Sequence, residues 1–234
     1  MGQVDEMTET YGADFLARWL IAAARAVERD ADRLTELDSA IGDADHGANL
    51  KRGFAAVTET LTKEPPQTPG AVLATAGREL ISTVGGASGP LYGTLLRRTG
   101  KALGDGVRIT REELAEALGS GVTAVSRLGG AQVGDKTMLD ALVPAVAGLR
   151  ESFDAARTAA EDGALATVPL RARKGRASYL GERSEGHQDP GATSSALLFT
   201  ALAETAHGGG SPEGGETAAD ETTRGAAPHT EEAS

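Results

Sequence analysis

From Tyr11 to His207 apolar residues return at intervals of three and four, the period of an amphipathic helix. The two-residue alternation of a half-buried strand is scarce. Tyr11–Leu34 sets Phe15, Trp19, Ala22, Ala23 and Val27 on one face, and Gly47–Leu61 does the same with Leu50, Phe54, Val57 and Leu61. Pro69 and Pro90 suit the first turns of helices running to about Val84 and over Leu91–Leu103. Thr110 followed by Glu113 is a capping-box pattern, opening a helix to about Leu128. Asp135 or Thr137 starts the next, with Leu139, Leu142, Val143 and Val146 as its buried face. Ser152–Lys174 holds one more, and Asp189-Pro190 caps the last, through Ala196, Leu197 and Phe199 towards Ala206. Short connections make neighbours antiparallel. The expected fold is all-α: an eight-helix antiparallel barrel or bundle, with any site in the loops at one end.

Charge narrows the function classes. Against 34 Asp and Glu stand 23 Lys and Arg, a net charge of −11. That balance opposes nonspecific nucleic-acid binding, which needs basic side chains to displace phosphate counterions. Nucleotides stay open, because a metal ion can carry the local positive charge. The absence of Cys excludes disulfides, thiolate metal sites and cysteine nucleophiles. No apolar run reaches the ~20 residues of a membrane span, so a soluble, cytoplasmic chain is expected. From Gly208 to Ser234 there is no Leu, Ile, Val, Met or aromatic residue, and six acids face Arg224 alone. The expected organisation is a flexible N-terminus over 1–10, one domain over 11–207 and a disordered acidic tail over 208–234.

Four connections carry more polar residues than interhelical turns require: Leu37–Asn49, Gly85–Gly93, Gly129–Asp140 and Gly175–Gly191. In the first, Asp38, Asp43 and Asp45 lie within eight residues, with Gly42 and Gly47 free to bend the chain. Converging carboxylates repel unless a hard cation lies between them, and Mg²⁺ favours oxygen ligands together with phosphate. The alternative is turn chemistry with Asp45 as a helix N-cap. Gly42 precedes Asp43 and no Glu follows at the required point, so the loop is not an EF-hand. A paired-carboxylate glycosidase lacks other support. His46 and Asn49 share a helix face and can donate to phosphate oxygens. In Gly85-Gly86-Ala87-Ser88-Gly89-Pro90, backbone N–H groups and Ser88 can cradle phosphates, although the Walker A ending and the strand of a dinucleotide fold are missing. Thr137 and Met138 can lie beside a base or sugar, Arg176 can fork onto phosphate, and Asp189 can accept ribose hydroxyls or cap its helix. Asp135 can cap the helix that follows, and Asp135 with Lys136 can form a solvated ion pair.

The ordered set Asp38-x3-Gly42-Asp43-Ala44-Asp45-His46-Gly47-x-Asn49, Gly85-Gly86-Ala87-Ser88-Gly89-Pro90-Leu91-Tyr92-Gly93, Asp135-Lys136-Thr137-Met138-x-Asp140 and Gly175-Arg176-Ala177-Ser178-Tyr179 through Asp189-Pro190-Gly191 resembles the nucleotide-binding L subunit of dihydroxyacetone kinase. The same domain closes the single-chain ATP-dependent kinases. The resemblance spans nearly all of Tyr11–His207. It implies an eight-helix barrel with ADP or ATP at one end and two Mg²⁺ ions on Asp38, Asp43 and Asp45. His46, Asn49, Ser88 and Gly89 map to the phosphate side, and Thr137, Met138, Arg176, Asp189 and Gly191 to the nucleotide pocket. It further implies that the triose sits covalently on a separate K subunit, so no substrate nucleophile belongs to this chain. A phosphohistidine-carrying M protein would recharge bound ADP, and the freestanding length fits that coupled form. An ATP-dependent subunit for another ketose, a fatty-acid kinase domain and a non-catalytic nucleotide sensor or adaptor are the rival readings.

Overall fold

A computed structural model describes residues 9–208, so the expected flexible start and acidic tail lie, but for Glu9, Thr10 and Gly208, outside the described residues. Within them the chain is almost wholly helical. α1 (Ala13–Arg29) and α2 (Ala31–Ile41) replace the single helix expected over 11–34, with Asp30 (φ −96°, ψ 6°) as the break. There follow α3 (His46–Lys63), α4 (Pro69–Thr83), α5 (Ser88–Leu103), α6 (Arg111–Gly129), α7 (Leu139–Leu149), α8 (Phe153–Ala166) and α9 (Pro190–Gly208). The helix expected to reach Lys174 ends at Ala166. Its continuation is irregular chain followed by a 3-10 segment, Arg176–Ser184, interrupted at Gly181 with φ 58°. A two-residue ribbon pairs β1 (Thr10–Tyr11) antiparallel with β2 (Ile109–Thr110), tying the described N-terminus to the start of α6.

Local chemistry sets several boundaries. The expected capping box is present: Thr110 Oγ1 accepts from Glu113 N at 3.1 Å, and Thr110 N donates to Glu113 Oε2 at 2.7 Å. Pro69 opens α4, where Thr68 caps Ala71 N at 3.2 Å. Pro90 lies in the first turn of α5, which begins at Ser88 rather than beyond the proline.

Eight helices close a ring. α1 packs on α3, α3 on α4, and each later helix on its successor to α9, which returns to α1. The core is aliphatic and small, with Leu16, Leu20, Leu50, Leu73 and Leu80 fully buried around Trp19, whose indole N–H donates to Leu198 O at 2.8 Å. α2 is the ninth helix, packed across α3 and α9 and against the 3-10 segment. Close approach to α3 depends on Gly47, where a Cβ would lie 1.9 Å from Ala31 O. Because neighbours alternate in direction, the N-termini of α3, α5, α7 and α9 share one end of the barrel. The four polar connections precede those four helices. Among the described residues no helix is long and apolar enough to cross a membrane.

Candidate functional site

The carboxylate loop is built around Asp38. From the last turn of α2 its Oδ2 accepts the N–H groups of Asp45 at 2.9 Å and His46 at 3.2 Å, and so caps α3 from another helix. Asp45 occupies the expected N-cap position of α3 but makes no side-chain cap bond, which leaves its carboxylate free. The intervening turn puts Ala44 at φ 61°, a left-handed conformation that is uncommon away from glycine. As a result Asp38, Asp43 and Asp45 each offer an oxygen within 4.8 Å of the others. Such acceptor-only oxygens suit a hard divalent cation. Gly42 makes room for them: a Cβ there would lie 2.0 Å from Asp38 Oδ1. Arg176 provides the compensating charge, with Nη1 3.1 Å from Asp43 Oδ2.

These carboxylates rim a cavity of about 440 Å³ at the barrel end that gathers the four helix N-termini. Their dipoles make that end favourable to anions. The cavity is lined by ten of the twelve expected residues: Asp38, Asp43, Asp45, His46, Ser88, Thr137, Met138, Arg176, Asp189 and Gly191. Asn49 and Gly89 stand outside the lining. The Asn49 amide oxygen accepts from Arg52 Nη2 at 2.7 Å, and Gly89 is packed against Val84 O, 2.4 Å from where a Cβ would sit. The sequence reading missed the apolar wall formed by Leu91, Val125, Leu128 and Ala131. Leu91, Val125 and Leu128 belong to helical segments whose apolar spacing does not distinguish a cavity wall from core, and Ala131 lies in the connection after α6. Leu128 is in fact 55% exposed.

His46 is buried, with Nδ1 3.1 Å from Ser88 Oγ and Nε2 2.8 Å from Ser194 Oγ. Ser194 lies 2.7 Å from the hydroxyl of buried Tyr92, which also meets Ser195 Oγ at 2.9 Å. Both ring nitrogens are thus engaged within the protein, and the ring meets the cavity through the Ser88 hydroxyl. Burial holds the imidazole below its ordinary pKa against the opposing charges of Asp38 and Asp45. Burial likewise pushes the Tyr92 phenol up to about 12.

On the opposite wall Asp140 shapes the loop before α7. Its Oδ1 accepts from Gly134 N at 2.6 Å and its Oδ2 from Thr137 N at 2.7 Å. Asp135 does not cap α7; its carboxylate accepts from Gln132 N. Lys136 is not a solvated partner of Asp135. It is 1% exposed and donates to the backbone carbonyls of Thr167, Val168 and His187. Asp189 caps α9 through Ala192 N at 2.7 Å. Burial raises its carboxyl to about 7, opposed by that bond and by Lys136, while Asp140 raises it further.

Known proteins resemble this chain in sequence and fold. The DAK2 domain family model matches residues 40–204. The ADP-binding subunit DhaL of the PEP-dependent dihydroxyacetone kinase of Escherichia coli (strain K12) is 44% identical over 198 residues, covering 80% of this chain and 94% of that protein. D-erythrulose kinase of Mycolicibacterium smegmatis is 38% identical over 205 residues, 82% of this chain and 35% of that one. The crystal structure of the dihydroxyacetone kinase from C. freundii in complex with AMP-PNP and Mg²⁺ superimposes with a TM-score of 0.68 at 26% identity. That match takes in 88% of this chain and 36% of the C. freundii chain.

Proposed function

Since the chain belongs to the DAK2 domain family, we propose that it is the nucleotide-binding phosphotransfer subunit of a dihydroxyacetone kinase. It takes a phosphoryl group from a phosphohistidine-carrying M protein onto bound ADP and passes it to dihydroxyacetone held on a separate K subunit. The observation that carries the reading is the meeting of Asp38, Asp43 and Asp45 within 4.8 Å at the mouth of a cavity fed by four helix N-termini. Identity of 44% to an ADP-binding subunit, against 38% to an erythrulose kinase, favours the coupled kinase over a kinase for another ketose.

Two Mg²⁺ ions on the three aspartates would neutralise the nucleotide phosphates and hold the terminal group in line for transfer. The protein's own residues divide the remaining work. Asp38 fixes the start of α3 while keeping Oδ1 over Gly42. Ser88, oriented by His46, offers its hydroxyl at the start of α5. Arg176 brings a forked donor to the mouth, able to leave Asp43 for a phosphate. Leu91, Val125, Leu128 and Met138 supply the apolar wall against which a base can pack, and Asp189 accepts sugar hydroxyls. The reacting end stays at the rim, where an acceptor on a second protein can reach it.

Single-turnover transfer tests this reading. Purified chain loaded with Mg–ADP is mixed with phosphorylated M protein and K subunit, and phosphate on dihydroxyacetone is followed. Asp43→Ala and Asp45→Ala each abolish transfer with helicity retained. Wild-type rates from both variants would overturn the metal assignment, and nucleotide binding without transfer to any K subunit would point to a sensor.

A further inference from the structure

A lysine with no carboxylate in direct contact is buried in the cavity wall. Lys136 adopts φ 62°, and its ammonium donates to Thr167 O at 2.7 Å, to Val168 O at 3.4 Å and to His187 O. Three carbonyls meet its three N–H groups. An ammonium sealed from water is costly unless its charge is balanced nearby. The acids whose charge it feels are Asp189, Glu185 and Asp140. The cage also belongs to the scaffold of Asp189: Thr167, whose carbonyl holds Lys136, accepts the Asp189 N–H on its Oγ1 at 2.9 Å. Arg173 N donates to Asp135 O at 3.0 Å and Gly186 N to Val168 O at 2.8 Å, binding the same segments together.

We propose that Lys136 is a positioning residue of the nucleotide site: from its carbonyl cage on Thr167, Val168 and His187 it places a cation beside the buried Asp189, which the same Thr167 holds, and locks the Thr137–Met138 loop next to it. The groups facing Asp189 are Lys136 and Asp140 from the α7 side, the Gly191 and Ala192 N–H groups of α9, and Tyr92 of α5. Lys136 is the one cation among them. Without it, burial and Asp140 together favour the neutral acid, a weaker partner for sugar hydroxyls. The inference rests on the nucleotide reading of the cavity given above.

Mg–ADP affinity of the full chain, measured by calorimetry from about pH 6 to about pH 9, tests it. Lys136→Met keeps the length of the side chain and removes its charge. Asp189→Asn keeps the helix cap, since Asn and Asp cap equally well. Lys136→Met weakens binding about tenfold at neutral pH, the scale of one hydrogen bond to a charged group. The loss shrinks towards pH 9, where Asp189 ionises unaided, and in the Asp189→Asn background it no longer varies with pH. A loss equal at every pH, beside a weakened Asp189→Asn, would make Lys136 a structural strap only and overturn this inference alone. Wild-type affinity in Asp189→Asn would overturn both it and the assignment of Asp189 to the sugar. Should Lys136→Met fail to fold, carbon-13 NMR of the unaltered chain decides: an Asp189 carboxyl ionised at pH 8 beside a protonated Lys136 supports the proposal, and a carboxyl still protonated there overturns it.

Discussion

Arg176 and Asp43 face each other across the cavity mouth, guanidinium Nη1 3.1 Å from carboxylate Oδ2, joining the 3-10 segment to the loop before α3. The Arg176 side chain is 67% exposed, so the pair adds little to stability. Its significance is that one side chain reaches both the carboxylates and the place a phosphate would occupy. Arg176→Ala therefore leaves the melting temperature nearly unchanged and weakens Mg–ADP binding about tenfold, the effect of one charge-assisted bond. Arg176→Lys falls between, because it keeps the charge and loses the fork. Calorimetric titration beside a thermal melt checks both. A variant that melts much earlier yet binds normally would refute the assignment.

His46 gives a pH dependence of stability. Its folded-state pKa lies below the ordinary value because it is buried between Ser88 and Ser194. The neutral ring's contribution is complete above about pH 6.5 and is lost as the pH falls towards the folded-state value. Urea unfolding in the presence of a chelator follows it without metal. His46→Asn flattens the slope of stability against pH just below 6.5, whatever it does to the absolute value. An unchanged slope would mean that another group is responsible.

Helix α9 completes the ring by packing on both α8 and α1, and it does so within the described residues. Ending the chain after Gly208 removes 26 residues that include all six acids of the C-terminal segment. Mg–ADP affinity is expected to stay within about twofold at moderate ionic strength, where a charged segment is screened beyond ~10 Å. A larger change on truncation would assign the acidic segment a part in the site.

The helices and the carboxylate loop were legible because their signals are local. Spacings of three and four place Leu50, Phe54, Val57 and Leu61 on a buried face, as the structure has them. Thr110 and Glu113 form their capping box three residues apart. Lys136 was not legible: beside Asp135 in sequence it reads as a surface ion pair, whereas its partners lie 31 to 51 residues further on. The same holds for His46, whose contact with Ser194 spans 148 residues. Asp38 was read as a ligand, but its capping of Asp45 and His46 depends on how α2 crosses α3. Asp30 breaks the first helix although no proline or glycine marks the place.

That crossing yields the last prediction. Gly47 lies where a Cβ would stand 1.9 Å from Ala31 O and 2.5 Å from Thr35 Oγ1. A backbone carbonyl cannot rotate aside as a side chain can, so Gly47→Ala must push α2 from α3. The expected cost is about 1–3 kcal/mol, as for other overpacked contacts. Gly119, in the middle of α6, is the counterpart, because its Cβ would meet nothing closer than Val146 Cγ1 at 3.8 Å. Gly119→Ala therefore stabilises by about 0.5–1 kcal/mol through helix propensity. Denaturant unfolding of the pair separates crowding from propensity. Since α2 carries Asp38, Gly47→Ala also weakens Mg-dependent nucleotide binding in the molecules that remain folded, while Gly119→Ala leaves it unchanged. Equal behaviour of the two variants would show that the α2–α3 contact does not hold the carboxylates in place.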